Sequence, residues 1–226
     1  MDALPDQPRT DFHALRAEQE GIAARAVMDG TLEGVRSFAA LDVSTQRGAP
    51  LFAAAVLIED GEITATATAM LEPAIPYVPG YLSFREAPVL ELALAELPRR
   101  PQLLWVDGHG LTHPRRAGIA TYLGVRAGLP SLGIAKKLLA GTLDDLPLVV
   151  GARAGIRLNN ELRGFAWRTK VRALPVFVSA GHLCTPEAAL GFAERFLDGY
   201  RLPWPTRAAH DASNVARRAW LAATTA

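Results

Sequence analysis

The sequence predicts an α/β fold: a mixed sheet in which an antiparallel three-strand meander is followed by parallel strands, with helices on both faces. Three runs of apolar or β-branched residues follow one another at 36–43, 51–58 and 63–70, and a short turn at 59–61 joins the last two. Successive strands joined by tight turns pair antiparallel. From residue 84 onward, helical and strand patterns alternate, which is typical of strands connected by helices in a mixed sheet.

Each element has its own signal in the sequence. Apolar residues recur at helical spacing over 11–29, which predicts an amphipathic first helix. Residues 73–83 contain three prolines and a glycine and therefore form a loop. Ser83 is expected to cap a helix over 84–97. The elements predicted after it are strands at 102–106, 131–135, 161–169 and 174–179, and helices at 115–127, 186–199 and 205–221.

Length and composition limit the class of protein. The chain has 226 residues, 50% of them hydrophobic, so we expect one domain over 1–226 with a sizeable core. No apolar run approaches the roughly 18–20 residues that cross a bilayer, and the polar, acidic stretch 1–20 is unlike a secretory signal. Cys184 is the single cysteine, which excludes an internal disulfide and a Cys-rich zinc site. A reducing, cytoplasmic location is therefore expected.

The net charge of +1 hides an asymmetry between the two halves of the chain. Residues 1–113 carry a net charge of −8 and residues 114–226 a net charge of +9. The first half could supply metal-binding carboxylates, and the second could meet phosphate groups. The alternative is that these charges mix in space once the chain folds.

Asp42 and Asp107 are the most informative candidate site residues, because each closes an apolar strand, in FAALD and LLWVD. A carboxylate at the end of a buried strand is costly unless an arginine, backbone N–H groups or a metal ion compensates it. A single such aspartate is as easily a capping or paired residue, but two together favour a functional site. Carboxylates without a Cys or His cage suit a hard cation such as Mg²⁺ better than zinc.

Three other polar residues have both a structural and a functional interpretation. Glu86 follows Ser83 by three residues, which is the spacing of a capping box, but it could also join the carboxylates. Lys136 follows the strand SLGIA. It is either a solvated strand end or a positive charge that acts on a phosphate or a nucleophilic water. His210, in the last helix, is by itself more often a structural or surface histidine than a ligand.

Two loop segments add weaker signals. The glycines of Gly108-His109-Gly110 form either a tight strand-to-helix turn or a close backbone approach to a ligand. Tyr77 stands between two prolines in Pro-Tyr-Val-Pro, on a stiff loop. Such an aromatic could insert between bases and unstack them, or it could pack back on the core.

Together these segments resemble the endonuclease V family. The resemblance rests on PYVPGYLSFREAPVL, VDGHGLTHPRRAGIATYLGV, SLGIAKKLL, PVFVSAGHLCTPEAAL and YRLPWPTRAAH, which occur in the family's order between about residues 35 and 211. The resemblance implies an RNase H-like fold and a metal-dependent nuclease, with Mg²⁺ as cofactor and Mn²⁺ as a substitute. It also implies cleavage of the second phosphodiester bond 3′ to a deaminated base, deoxyinosine, which leaves the stack to be recognised.

The resemblance carries over to individual residues. The metal-binding carboxylates would be Asp42, Glu86 and Asp107, Lys136 would be the catalytic lysine, and His210 would lie near the metal site. Tyr77 would fill the gap left by the displaced base. The base itself would enter a pocket partly formed by backbone around Gly108, with candidate wall residues Leu82, His113 and Leu139.

Other functions remain open at this stage. One is a nuclease of the same fold that prefers inosine-containing RNA or branched or mismatched DNA. A non-catalytic nucleic-acid-binding module is opposed by the complete set of Asp42, Glu86, Asp107 and Lys136, and a small-molecule phosphohydrolase by the proline loop and the basic second half. A monomer is expected, and the number of metal ions is open. The chain departs from the family pattern in lacking an aromatic after Asp42 and in having Trp204 where an acidic residue is expected.

Overall fold

One nine-stranded sheet organises residues 10–224, the part of the chain that the computed structural model describes. Its strands are β1 (Ser37–Ser44), β2 (Leu51–Glu59), β3 (Glu62–Leu71), β4 (Leu103–Asp107), β5 (Ser131–Ala135), β6 (Thr142–Leu143), β7 (Arg153–Leu158), β8 (Glu161–Trp167) and β9 (Val176–His182). The helices are α1 (Phe12–Arg25), α2 (Leu82–Ala95), α3 (Ile119–Ala127), α4 (Pro186–Glu194) and α5 (Trp204–Thr224).

The first three strands form the predicted antiparallel meander. β2 pairs antiparallel with both β1 and β3. Between β2 and β3, Asp60 and Gly61 have φ angles of 51° and 88°. Two consecutive left-handed residues are what a tight hairpin turn requires, and Asp and Gly tolerate that conformation.

The parallel strands bring two chain segments to one edge of the sheet. The strand order is β3-β2-β1-β4-β5-β9-β8-β7-β6, with β1, β4 and β5 parallel and every other neighbouring pair antiparallel. In the β1–β4 register, Leu41 pairs with Val106. The residues that follow, Asp42 and Asp107, therefore lie side by side. The mixed, RNase H-like sheet predicted from the sequence is confirmed.

Two apolar cores cover opposite faces of this sheet. Phe38 and Ala40 of β1 belong to one core, and Ala39 and Leu41 belong to the other, because successive side chains of a strand point to opposite faces. Helices α4 and α5 pack on the first face, and α1, α2 and α3 on the second. Helices on both faces are thus confirmed.

Several boundaries differ from the prediction. Helix α1 ends at Arg25 rather than at residue 29, and its buried side chains are Ile22 and the polar Gln19 rather than a full apolar stripe. Helix α4 ends at Glu194, before residue 199. The prediction missed the short, exposed β6 and the strand β7, whose Arg-Ala-Gly sequence has little β-propensity.

The predicted cap at Ser83 is wrong. Helix α2 begins at Leu82, its N-cap Tyr81 makes no side-chain cap, and Ser83 lies inside the helix. The Ser83 hydroxyl donates instead to the Ala117 carbonyl, at 3.3 Å. Without that cap, the capping-box interpretation of Glu86 no longer applies.

The third helix starts later than predicted, at Ile119 rather than at residue 115, because residues 113–116 form a turn and Gly118 is extended. No helix within residues 10–224 is both long and apolar enough to cross a membrane.

The predicted domain, 1–226, includes residues 1–9, 225 and 226, which lie outside the described residues. The first part of the stretch 1–20 lies outside them as well.

Candidate active site

Alternation along the central strands directs three predicted site residues to one face of the sheet. Asp42 follows Ala40 by two residues, and Asp107 follows Trp105 by two. Lys136, just past β5, likewise follows Ile134 by two. The apolar partners in these pairs all belong to the core under α4 and α5. The two carboxylates and the lysine therefore point towards the face that α5 covers.

Asp42, Asp107 and His210 form a compact cluster of potential metal ligands. One ligand atom from each lies within 4.8 Å of the other two. His210 comes from α5, and its Nδ1 is 3.4 Å from Oδ2 of Asp42. Asp42 is buried, whereas His210 is exposed. The structure thus brings a histidine to the aspartate pair although it lies 168 positions after Asp42 and 103 after Asp107 along the chain.

Glu86 lies beside this cluster rather than within it. It sits on α2, one turn from the helix start, and is partly buried. Burial, and then the negative charges of Asp42 and Asp107, raise the pKa of Glu86 to about 8. Burial and Asp42 likewise raise the pKa of Asp107 to about 6, although Lys136 opposes the shift. Raised pKa values at Glu86 and Asp107 fit a divalent cation, whose charge would relieve the repulsion among the carboxylates.

Lys136 is exposed at the end of its strand, but it is paired with a candidate metal ligand. Its Nζ lies 2.5 Å from Oδ2 of Asp107, at the edge of the site, while 43% of its side chain remains exposed. The ammonium group is therefore held at the carboxylates and is still open to a ligand from solvent.

A polar network on α5, which the sequence analysis missed, supports the cluster. Ser213 donates its hydroxyl to Oδ2 of Asp42 at 2.6 Å, and Nδ2 of Asn214 is 3.0 Å from Nε2 of His210. Asn214 in turn accepts from Ser44 and Arg217, at 2.8 and 3.1 Å. The signal was present in the sequence, because positions 210, 213 and 214 share one helix face.

A cavity of about 290 Å³ is lined by Gly108 and Lys137, the residues that follow Asp107 and Lys136 along the chain. All five predicted substrate-binding residues line it: Tyr77, Leu82, Gly108, His113 and Leu139. The structure adds other lining residues that were not predicted, among them Gly80, His109 and Ile119. Gly108 must be glycine here, since at its φ of +154° a Cβ would lie 2.5 Å from Cγ2 of Ile119.

The aromatic of the proline loop faces solvent at the mouth of this cavity. Tyr77 is 66% exposed, so it does not pack back on the core. The alternative interpretation of this residue is therefore wrong.

The two cavity histidines are neutral. Burial lowers the pKa of His113 to about 4, with a further contribution from the Arg115 charge, and burial lowers the pKa of His109 to about 4. Nδ1 of His113 accepts from the Arg115 backbone N–H at 3.2 Å. Nε2 therefore carries the proton and donates to the Gly80 carbonyl at 3.1 Å. The exposed Lys137 is a charged member of the lining, but the two neutral histidines suit an uncharged heterocycle.

Residues 20–211 match the family model of Endonuclease V. The chain belongs to the endonuclease V family. It is 46% identical over 200 residues to Endonuclease V of Thermus thermophilus, a match that covers 86% of this chain and 88% of that relative. The family predicted from the motifs is confirmed, and it makes the chain an endonuclease of a metal-dependent family.

Solved structures of endonuclease V share the fold. The structure from Streptomyces avermitilis is 35% identical, has a TM-score of 0.85, and the match covers 97% of this chain and 96% of that one. The Ciona intestinalis D234N protein is 25% identical with a TM-score of 0.76, over 91% of this chain and 97% of that one. That structure is a complex with a 23mer DNA containing an inosine followed by a ribo-adenosine.

The two departures from the endonuclease V pattern have structural accounts. In the segment after Asp42 that lacks the expected aromatic, Ser44 joins the α5 network through Asn214 and Arg217. Trp204 begins α5 and packs edge-on against Phe196, with ring centroids 5.9 Å apart. Neither departure replaces a residue of the candidate metal cluster.

Proposed function

We propose that the chain hydrolyses the second phosphodiester bond 3′ to deoxyinosine, with Mg²⁺ as its cofactor and Mn²⁺ as a substitute. Family membership makes it a DNA repair endonuclease that acts on deaminated bases. One observation carries the finer proposal: the chain passes directly from the metal-ligand cluster, at Asp107, into a cavity at Gly108 that is lined by two neutral histidines and the exposed Tyr77.

The proposed metal ligands are Asp42 and Asp107, with Glu86 completing the carboxylate set and His210 at its margin. A mainly oxygen donor set favours Mg²⁺, which retains several ligands of its own from water and phosphate. When bound, the cation supplies electrostatic stabilisation to a phosphate that gains negative charge.

The chain's own residues orient the reacting groups. Ser213 holds Asp42 by a hydrogen bond of 2.6 Å, which fixes the direction of its other lone pairs. Lys136, held at Asp107, would place its positive charge against the scissile phosphate or the attacking water. These roles are supported by positions and contacts within the described residues.

The proposed base pocket distinguishes hypoxanthine from adenine through backbone donors. Gly108 is not one of them, since its N–H already donates to the Ile134 carbonyl at 2.8 Å. Leu82 and Ser83 line the cavity from the first turn of α2, which has no side-chain cap. First-turn N–H groups lack helical partners. They would donate hydrogen bonds to the 6-keto oxygen of inosine, and they would disfavour the amino group of adenine, which is itself a donor.

Inosine-containing RNA is the second candidate substrate. The Ciona intestinalis relative was bound to DNA in which a ribo-adenosine follows the inosine, so that protein accommodates a ribose next to the lesion. The two substrates are separated by comparing cleavage of matched DNA and RNA oligonucleotides with one inosine each.

The proposal also covers the organisation of the protein. We propose one domain over residues 1–226, supported by the continuous sheet of the described residues, and a monomer that acts in the cytoplasm. For the reducing location, the support is Cys184, whose thiol is buried with a pKa raised by that burial to about 11.

The test is cleavage of an end-labelled duplex with one deoxyinosine. We expect a single nick, one nucleotide beyond the bond adjacent to the lesion, with Mg²⁺ and none with a chelator. The matched duplex carrying deoxyadenosine should stay intact, as should the lesion duplex with Asp107→Asn. Equal cutting of both duplexes, or cutting that survives chelation, would contradict the proposal.

A further inference from the structure

Gln19 is a fully buried polar residue in a helix that carries none of the predicted site residues. Both ends of its amide are used. Nε2 donates to the Gly80 carbonyl at 2.8 Å, and Oε1 accepts from Nε of Arg115. One side chain thus links α1 to the proline loop and to the segment that follows β4, both more than sixty positions away along the chain.

The Gly80 carbonyl is the centre of this arrangement. Besides Gln19, it accepts from Nη2 of Arg115 at 2.9 Å and from Nε2 of His113 at 3.1 Å. Gly80 has a φ of +81°, and a Cβ there would lie 3.2 Å from Nη2 of Arg115. We call Gln19, His113 and Arg115 with this carbonyl the Gly80 clamp.

The clamp holds one end of the loop that carries Tyr77. The Tyr81 N–H donates to the Val78 carbonyl at 3.0 Å, which closes a turn through Gly80. The Arg115 guanidinium lies 4.6 Å above the Tyr81 ring and so fixes the residue that follows the clamp. At the other end, Nη1 of Arg85 donates to the Ile75 carbonyl at 2.6 Å. The exposed Tyr77 is thus presented between two tethers.

We propose that Gln19 is a positioning residue for lesion recognition, which holds the Tyr77 loop and the adjacent cavity wall in the geometry that receives a displaced base. The inference rests on the proposed function. Gln19 touches neither the cavity nor the metal ligands, and it precedes the family match, which starts at residue 20. Its effect is exerted through the Gly80 carbonyl and Arg115.

The physical reason is preorganisation. A loop that is already ordered does not lose conformational entropy when it engages the lesion, so part of the cost of binding is met during folding. Without the Gln19 bonds, the loop samples other conformations, and the affinity falls with the fraction that remains competent. The metal cluster is built from other elements, so turnover of bound substrate should not change.

The test uses two substitutions and one control on the same helix. Gln19→Met keeps the side-chain length and removes both hydrogen bonds. Gln19→Glu keeps an acceptor for Arg115 but cannot donate to Gly80. Glu20→Gln changes an exposed neighbour and should match wild type. For each protein, KM and kcat on the deoxyinosine duplex are measured, together with hydrogen exchange of the backbone amides in residues 74–81.

Gln19→Glu should raise KM roughly three- to tenfold, the effect of one neutral hydrogen bond. Gln19→Met also loses the bond from the charged Arg115 and should raise KM by at least as much. The kcat of both variants should stay within about twofold of wild type, and exchange at 74–81 should be faster while β4 and β5 are unchanged. Unchanged KM and exchange would overturn the inference. So would a joint fall of kcat and thermal stability, because that indicates a merely structural residue.

The two proposals fail differently. If wild type does not cleave deoxyinosine DNA, the proposed function is wrong, whereas the exchange comparison still decides whether Gln19 orders the loop. If wild type cleaves and the Gln19 variants match it in KM and exchange, only the role of Gln19 is wrong. Should Gln19→Met fail to fold, Gln19→Glu, which retains its acceptor for Arg115, gives the same comparison.

Discussion

Replacing Tyr77 with alanine separates recognition from folding, because the side chain has little to do with the fold. Burying a large apolar side chain completely is worth roughly 1.5–3 kcal/mol. Tyr77 is 66% exposed, so its loss should cost the folded state less than about 1 kcal/mol. For a chain of this length, that corresponds to a fall in melting temperature of at most about 2–4 °C.

The cost to lesion binding should be larger. If Tyr77 stacks in the gap left by an extruded inosine, alanine removes roughly 1–3 kcal/mol per stacked base, or about five- to 150-fold in affinity. An undamaged duplex opens no such gap, so its affinity should hardly change. Tyr77→Phe keeps the ring and should stay close to wild type.

The assay is fluorescence anisotropy with labelled duplexes, on an Asp107→Asn background that does not cleave them. Leu92→Ala, at a side chain 46% exposed on the outer side of α2, serves as the control for a truncated surface residue. A lower melting temperature with unchanged preference for the lesion would refute the assignment of Tyr77. Equal losses of affinity for both duplexes would refute it as well.

Four further outcomes are expected. Asp42→Asn or Asp107→Asn should lower cleavage by more than about a hundredfold, since the cation contributes several kcal/mol; near-normal nicking by either would contradict the metal site. The pKa of Glu86 is raised to about 8 and that of Asp107 to about 6. The folded state therefore keeps protons that the unfolded state releases near pH 4–5. The free energy of unfolding without metal should consequently fall as pH rises towards 8. The increase in melting temperature caused by Mg²⁺ should therefore be larger at pH 8 than at pH 6, and the reverse order would show that these groups are not the ligands. Ser213→Ala removes the hydrogen bond to Asp42 and should weaken Mg²⁺ activation about ten- to a hundredfold, with Ser213→Thr closer to wild type; activation curves that coincide would exclude this support. DNA affinity should weaken between about 50 and 200 mM salt because basic residues of 114–226 release counterions, and an affinity independent of salt would show that they face elsewhere.

The pattern of apolar residues was sufficient for the central strands. The boundaries of β5 were predicted without error, and those of β1 to β4 to within one residue. Strands β1, β2, β4 and β5 are mostly buried, and β3 alternates between exposed and partly buried residues, so the composition of each strand reflects its environment. The short edge strand β6 is exposed, so no apolar pattern marks it. The starts of α2 and α3 were misplaced because turn residues on their N-terminal sides decide where each helix begins.

The identity of the candidate metal ligands was also accessible from the sequence, since a carboxylate after a buried run needs compensation. Their convergence was not. It follows from the parallel register of β1 and β4 and from the packing of α5 over that face, which brings His210 and Ser213 to Asp42. Long-range pairing leaves no local trace, and only the helical spacing of His210, Ser213 and Asn214 hinted at a shared face.

The sequence by itself determined the family, the mixed sheet, the carboxylates and lysine of the candidate site, and the loop that carries Tyr77. All of these follow from local composition or from contiguous sequence motifs. The tertiary structure alone decided that Tyr77 faces solvent, that Ser83 does not cap α2, and that Gln19 is buried against Gly80. A polar residue in an otherwise exposed helix looks like part of the solvated face. Whether it is buried depends on which distant carbonyl and guanidinium the fold places against it.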